Sequence, residues 1–146
     1  MILACSKHYV SLFKIEEFAT LLYEYENKRV VSLLEKHREM GFVTVLSSAA
    51  PSVYAELIGT HYLFDFVCAT PMPIDENWYE NVNEQKKKNT LALLEQNSLE
   101  MVVFVTDHHD DLPLLKVEKD LNVLVSPSQK TVDLLKKQNI QYEIME

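Results

Sequence analysis

The segment MVVFVTDHHDDLPLL, residues 101–115, changes character between two neighbouring positions. Val102, Val103, Phe104 and Val105 form a β-branched and aromatic run with no polar alternation. Such a run reads as a strand buried on both faces, which is the habit of parallel sheets. It ends abruptly in Asp107, His108, His109, Asp110 and Asp111, so these side chains are expected at the carboxyl end of the strand. Open α/β sheets bind ligands and metals at that end. A pair of carboxylates held there can grip a divalent cation that manages phosphate oxygens. The plainer use of the same acids is a solvated turn, with an N-capping Asp before a helix that starts near Leu112.

The rest of the chain supplies partners for this strand. Apolar runs at residues 42–46 (FVTVL), 64–69, 121–125 and 142–145 read as further strands. Helical spacing of three and four marks Leu12, Ile15, Phe18, Ala19, Leu22 and Tyr25, and then Val30, Leu33, Leu34 and His37, stopped by Gly41. Further helices are expected at 52–58, 86–96 and 131–138. Residues 71–85, with Pro71, Pro73, Asp75, Asn77, Asn81 and Asn83, form the long polar connection. Strands alternating with helices predict an α/β fold, a Rossmann-like three-layer sandwich with a mostly parallel sheet.

Composition narrows the function. The chain has 146 residues, enough for about one domain, with 47% hydrophobic and 25% charged residues. Its two glycines, Gly41 and Gly59, cannot write a glycine-rich phosphate loop of the P-loop or dinucleotide kind. A net charge of −8 argues against nucleic acid as a partner. No apolar run approaches the roughly 20 residues of a membrane span, so no membrane partner is expected. Cys5 and Cys68 lack metal-ligand spacing, which suits a reducing, cytoplasmic location.

Two further segments suggest phosphate chemistry. Ser47 and Ser48 close the FVTVL strand, where hydroxyls and the amides of a following helix can hold an anion. Each serine alone is equally well a simple N-cap. Lys86, Lys87 and Lys88 open a helix, where the dipole disfavours cations, an anomaly that a phosphate partner resolves. A solvated charge run is their ordinary reading.

In this order the motifs resemble the haloacid-dehalogenase-like hydrolases, in particular the phosphoserine-phosphatase-like branch. The family's fourth motif is a strand followed by G-D-x-x-x-D-x-P, and T-D-H-H-D-D-L-P matches it at Asp107, Asp111 and Pro113, with Thr106 in the glycine position. His37-Arg38-Glu39-Met40-Gly41 and Ser48-Ala49-Ala50-Pro51 resemble the branch's H-x-x-x-G and Ser-Ala-x-Pro, and the distance from Gly41 favours Ser48 over Ser47. The register of Leu91, Leu93 and Leu94 favours Lys87 as the motif-three lysine, with Lys86 and Lys88 as close alternatives. The resemblance covers residues 30–146, including FDFVCAT at 64–70 and the C-terminal tail.

The resemblance implies hydrolysis of a small phosphorylated metabolite with Mg²⁺. Asp107 would ligate the metal, and Asp111 would hold Lys87 and a ligand water. Ser48, with Ser47 beside it, would bind the phosphoryl oxygens, and Lys87 would neutralise them. Residues 1–30 look like the end of a helical cap and 31–146 like the α/β core. One departure is large. The family's D-x-D-x-T carries the phosphate-accepting nucleophile and the general acid/base, and no D-x-D occurs in this chain. The chain is therefore expected to be truncated or inactive as it stands, with no turnover on a generic aryl phosphate. Mg²⁺ affinity is expected to be millimolar or weaker and tightened by phosphate.

Two other readings remain. A catalytically dead relative would serve in interaction. Alternatively, V-T-D-H-H resembles the third motif of the DHH phosphoesterases, where Asp and His ligate manganese. That family's further Asp-rich motifs are missing, and it leaves Ser48, Lys87 and Pro113 unexplained. Without the nucleophile-bearing strand, the sheet is expected to have a gap between the Ser48 and Asp107 strands. Either residues 2–5, with Cys5 or Ser6 in the nucleophile's place, or a segment of a second chain in a homodimer would fill it.

Overall fold

The computed structural model describes residues 12–146. The two helical patterns near the N-terminus become helices α1 (Leu12–Tyr23) and α2 (Lys28–Glu39). Asn27 separates them and caps α2, its side chain accepting from the amides of Arg29 and Val30. Gly41 follows α2 at a φ of +86°, the left-handed turn that glycine adopts without strain. Then come β1 (Val45–Pro51), α3 (Ser52–His61), β2 (Phe66–Thr70), α4 (Asn83–Gln96), β3 (Val103–Thr106), a 3₁₀ turn (His109–Asp111), α5 (Leu112–Leu115), β4 (Leu121–Val125), α6 (Gln129–Lys137) and β5 (Glu143–Met145). The alternation is the α/β pattern expected, and every strand pair is parallel.

Two boundaries differ from expectation in ways that matter for the site. The first strand starts at Val45 rather than Phe42, because Phe42 and Val43 stay exposed and Thr44 is held by the Asp65 carboxylate. It then continues through both serines to Pro51. Its pairing with β2 runs from Val45↔Phe66 to Ser47↔Cys68 and resumes only at Pro51↔Thr70. Three residues of β1 therefore face the single Ala69, a bulge that lifts Ser48, Ala49 and Ala50 out of the ladder. The second difference is that α4 starts at Asn83. The three lysines sit one turn inside the helix rather than at its mouth, which weakens the dipole anomaly read from them.

The strands form two groups, β1–β2 and β3–β4–β5, and β1 does not pair with β3. The expected gap is present among the described residues. A cavity of about 820 Å³ lies there, and Val45, Leu46, Val103, Phe104, Val105 and Leu34 are among the residues that line it. Residues 2–5, one of the two expected fillers, lie outside the described part of the chain. The packed core sits on the far side of the gap: Leu115, Leu124 and Leu135 are almost fully buried, with Phe104, Leu112, Ile140 and Tyr142 packed around them. On the near side α1 lies against α3, Phe18 meeting Tyr54 edge-on and Tyr23 stacking on His61. Gly59 lets α3 approach β2, since a Cβ there would clash with Val67 Cγ2.

Candidate active site

The carboxyl end of β3 is organised around one ion pair. Lys86 Nζ lies 2.6 Å from Asp111 Oδ1, and both side chains are mostly buried. The second oxygen, Asp111 Oδ2, accepts from the Thr106 hydroxyl at 2.7 Å. Thr106 Oγ1 in turn accepts from the His108 amide at 3.3 Å. The threonine that departs from the family's glycine thus ties the strand end to the acid five residues on. Both oxygens of Asp111 are engaged by Lys86 and Thr106.

The lysine that meets Asp111 is Lys86, not the Lys87 favoured from the leucine register. The inward stripe of α4 runs Lys86, Thr90, Leu94 at intervals of four, and Thr90 and Leu94 are its buried residues. Lys87 shares its stripe with Leu91 instead. Counting back from Leu94 in fours, rather than weighting all three leucines, would have selected Lys86.

Strand β1 supplies the hydroxyls, Ser47 from the paired ladder and Ser48 from the bulge. Ser47 is turned toward α4, its Oγ 2.8 Å from Thr90 Oγ1. Ser48 Oγ accepts from the Ala50 amide at 3.1 Å, which leaves its own proton available to another acceptor. Ser47 is thereby committed to packing the strand on the helix, whereas Ser48 is the serine able to donate.

Asn81, which looked like ordinary loop polarity, is fully buried and joins the parts together. Its Nδ2 donates to the carbonyls of Ser48 and Cys68, and its amide donates to Thr70 Oγ1. Its Oδ1 accepts from Asn89 of α4 at 3.0 Å. One amide side chain therefore holds the bulge, the end of β2 and α4 in register. Cys68 lies beside it, and burial pushes its thiol pKa up, so it is a poor nucleophile.

Asp107 is the remaining acid. It is exposed at the end of β3, on the rim of the cavity between the two strand groups. Its carboxylate makes no hydrogen bond to a described residue, in contrast to Asp111. Mg²⁺ takes hard oxygen ligands, so Asp107 fits it, but as a single carboxylate it fits weakly.

The haloacid dehalogenase-like hydrolase profile matches residues 4–116, most of the chain. The chain belongs to that family. Its fold is similar to that of a protein of unknown function from Bordetella pertussis Tohama I, with a TM-score of 0.77 at 17% identity, covering 91% of this chain and 64% of that one. It is also similar to a probable phosphoserine phosphatase from Vibrio cholerae in unliganded form, with a TM-score of 0.56 at 14% identity over 76% of this chain and 43% of that one. A third likeness is to a phospho-aspartyl intermediate analogue of phosphoserine phosphatase, with a TM-score of 0.60 at 13% identity over 92% and 64%. The chain thus spans less than two thirds of the length of each. No curated protein matches it by sequence. Among the described residues no helix is long and apolar enough to cross a membrane. The family match lends nothing to the manganese phosphoesterase reading of T-D-H-H.

Proposed function

We propose that this haloacid dehalogenase-like chain carries the phosphoryl-binding half of a phosphomonoesterase site, for a small phosphorylated metabolite. The observation that supports it most is the Lys86–Asp111 pair at the end of β3. An ammonium held by a buried carboxylate is a fixed positive charge aimed by the protein, the form of charge that stabilises a phosphoryl group without reorganisation. Ser48 adds a free hydroxyl proton from the bulge, and Asp107 offers the ligand oxygen for Mg²⁺. That ion, when bound, would polarise a phosphoryl oxygen. Asp111 orients Lys86 rather than touching the substrate.

These groups position and neutralise a phosphoryl group, but none can open a covalent route. That needs an attacking carboxylate and an acid for the leaving alcohol. With no D-x-D among its 146 residues, the chain alone binds phosphate without hydrolysing esters. Acid–base assistance is typically worth about 10²–10⁴-fold, and the loss of the nucleophile removes more.

The test is calorimetry paired with a continuous aryl phosphatase assay. Inorganic phosphate is expected to bind weakly, and Mg²⁺ at millimolar affinity, tightened when phosphate is present. Aryl phosphate turnover is expected to stay at background. Micromolar Mg²⁺ binding without any anion would contradict the donor set. Mg²⁺-dependent turnover abolished by Asp107→Asn would contradict the division of labour, and would place a nucleophile elsewhere, with Cys5 and Ser6 the first to mutate.

A further inference from the structure

Between Asp107 and Asp111, the two acids of the proposed phosphoryl site, His108, His109 and Asp110 converge at the surface. One ligand atom from each lies within 4.8 Å of the other two. His108 Nδ1 is 3.2 Å from Asp110 Oδ2, and His109 Nε2 is 3.8 Å from Asp110 Oδ1. With metal–nitrogen and metal–oxygen bonds of about 2.0–2.2 Å, the edge of a tetrahedral zinc site is roughly 3.3–3.5 Å. The three groups therefore stand near ligand spacing before any ion is added.

His108 Nδ1 accepts from the Asp110 amide at 3.2 Å, which occupies its one lone pair, so His108 meets an ion through Nε2 or by giving up that bond. One feature goes beyond proximity, an oriented ring. His109 Nδ1 lies 3.4 Å from the hydroxyl of Thr131, a fully buried residue on α6 that is fixed in turn by Ser128. An Nδ1–H donated to Thr131 leaves the His109 Nε2 lone pair facing Asp110, and outer hydrogen bonds of this kind fix the ligating tautomer at metal sites.

We infer that His108, His109 and Asp110 form a binding site for a transition-metal dication of the zinc, copper or nickel class. Two imidazoles with one carboxylate select that class over Mg²⁺, which takes oxygen. His108 and Asp110 are half or more exposed, so water completes the coordination and the affinity is micromolar rather than structural. The ligands lie on the 3₁₀ turn and its N-cap His108, and the His109–Thr131 contact is what ties that turn to α6.

The test uses the full chain without a histidine tag, titrated with Zn²⁺ by calorimetry and with Cu²⁺ by electron paramagnetic resonance. One micromolar Zn²⁺ site and a Cu²⁺ spectrum carrying nitrogen couplings are expected. His108→Asn combined with His109→Asn should weaken Zn²⁺ at least tenfold while circular dichroism stays unchanged. Thr131→Val, which keeps the buried shape, should weaken it less, and Asp107→Asn should leave it unaltered. Zn²⁺ binding that survives the double histidine variant, or that is lost in Asp107→Asn, would overturn the assignment. So would the absence of any binding below millimolar.

Discussion

At the scale of single residues, Lys86 and Lys87 differ by one position and by about 100° around α4, and that rotation decides which can serve the site. Lys86→Gln removes the partner of Asp111 and leaves a mostly buried carboxylate held by Thr106 alone. A double-mutant cycle with Asp111→Asn, followed by urea unfolding, should give a coupling of about 0.5–3 kcal/mol. Lys86→Gln should also abolish phosphate binding, whereas Lys87→Gln should reduce it less than twofold. The opposite ranking would return the role to Lys87. The place of Asp107 just after a strand was legible because the change of character at the end of β3 shows in the residues themselves, whereas Ser48, expected to close its strand, lies inside β1, which continues to Pro51. Asn81 was not legible: its significance lies in five hydrogen bonds to segments up to 33 positions away, and nothing local to residues 71–85 signals them.

At the scale of elements, β1 and β2 are stapled at their N-terminal ends by Asp65. Its Oδ2 accepts from the Thr44 amide at 2.7 Å and from the Thr44 hydroxyl at 3.0 Å. The amide bond, together with the hydroxyl and the nearby Arg38, holds the Asp65 carboxyl below its ordinary pKa of 3.8. The folded state therefore binds this proton less readily than the unfolded chain does. The stabilisation is complete above the unfolded pKa and is lost as pH falls through the lower folded value. Asp65→Ala should cost at most about 1 kcal/mol at neutral pH, because the carboxylate is exposed and solvent screens its interactions. The gap between wild type and variant in thermal unfolding should close on acidification from pH 5 to pH 2. A difference that stays constant over that range would remove the charge from the argument. The strand run FVTVL was read three residues early for a related reason. Phe42 and Val43 have strand composition, but their partner positions in β2 are filled only from Phe66 onward, and pairing between distant segments is not written in either one alone.

At the scale of the whole molecule, the space left unpaired between β1 and β3 among the described residues divides their stabilising contacts unevenly. Strand β4 is hydrogen-bonded on both edges, and its residues 122–125 are buried. The fully buried leucines Leu114, Leu115, Leu124 and Leu135 all lie on its side of the gap. The β1–β2 pair is a two-stranded ribbon braced by α3, α4 and the Asn81 network, and two-stranded units are marginal on their own. In native-state amide exchange the chain should therefore behave as two cooperative units rather than one. Amides of β4 should exchange only through global unfolding, and those of β1 and β2 through an earlier, subglobal opening with a smaller denaturant dependence. A single protection level across both groups would mean that a further strand occupies the gap and joins them. If the opening is seen, the proposed phosphoryl site inherits it. Ser48 rides on the unit that opens, while Asp107 and Asp111 belong to the unit that stays closed, so site assembly and the local folding equilibrium of the ribbon are one and the same event.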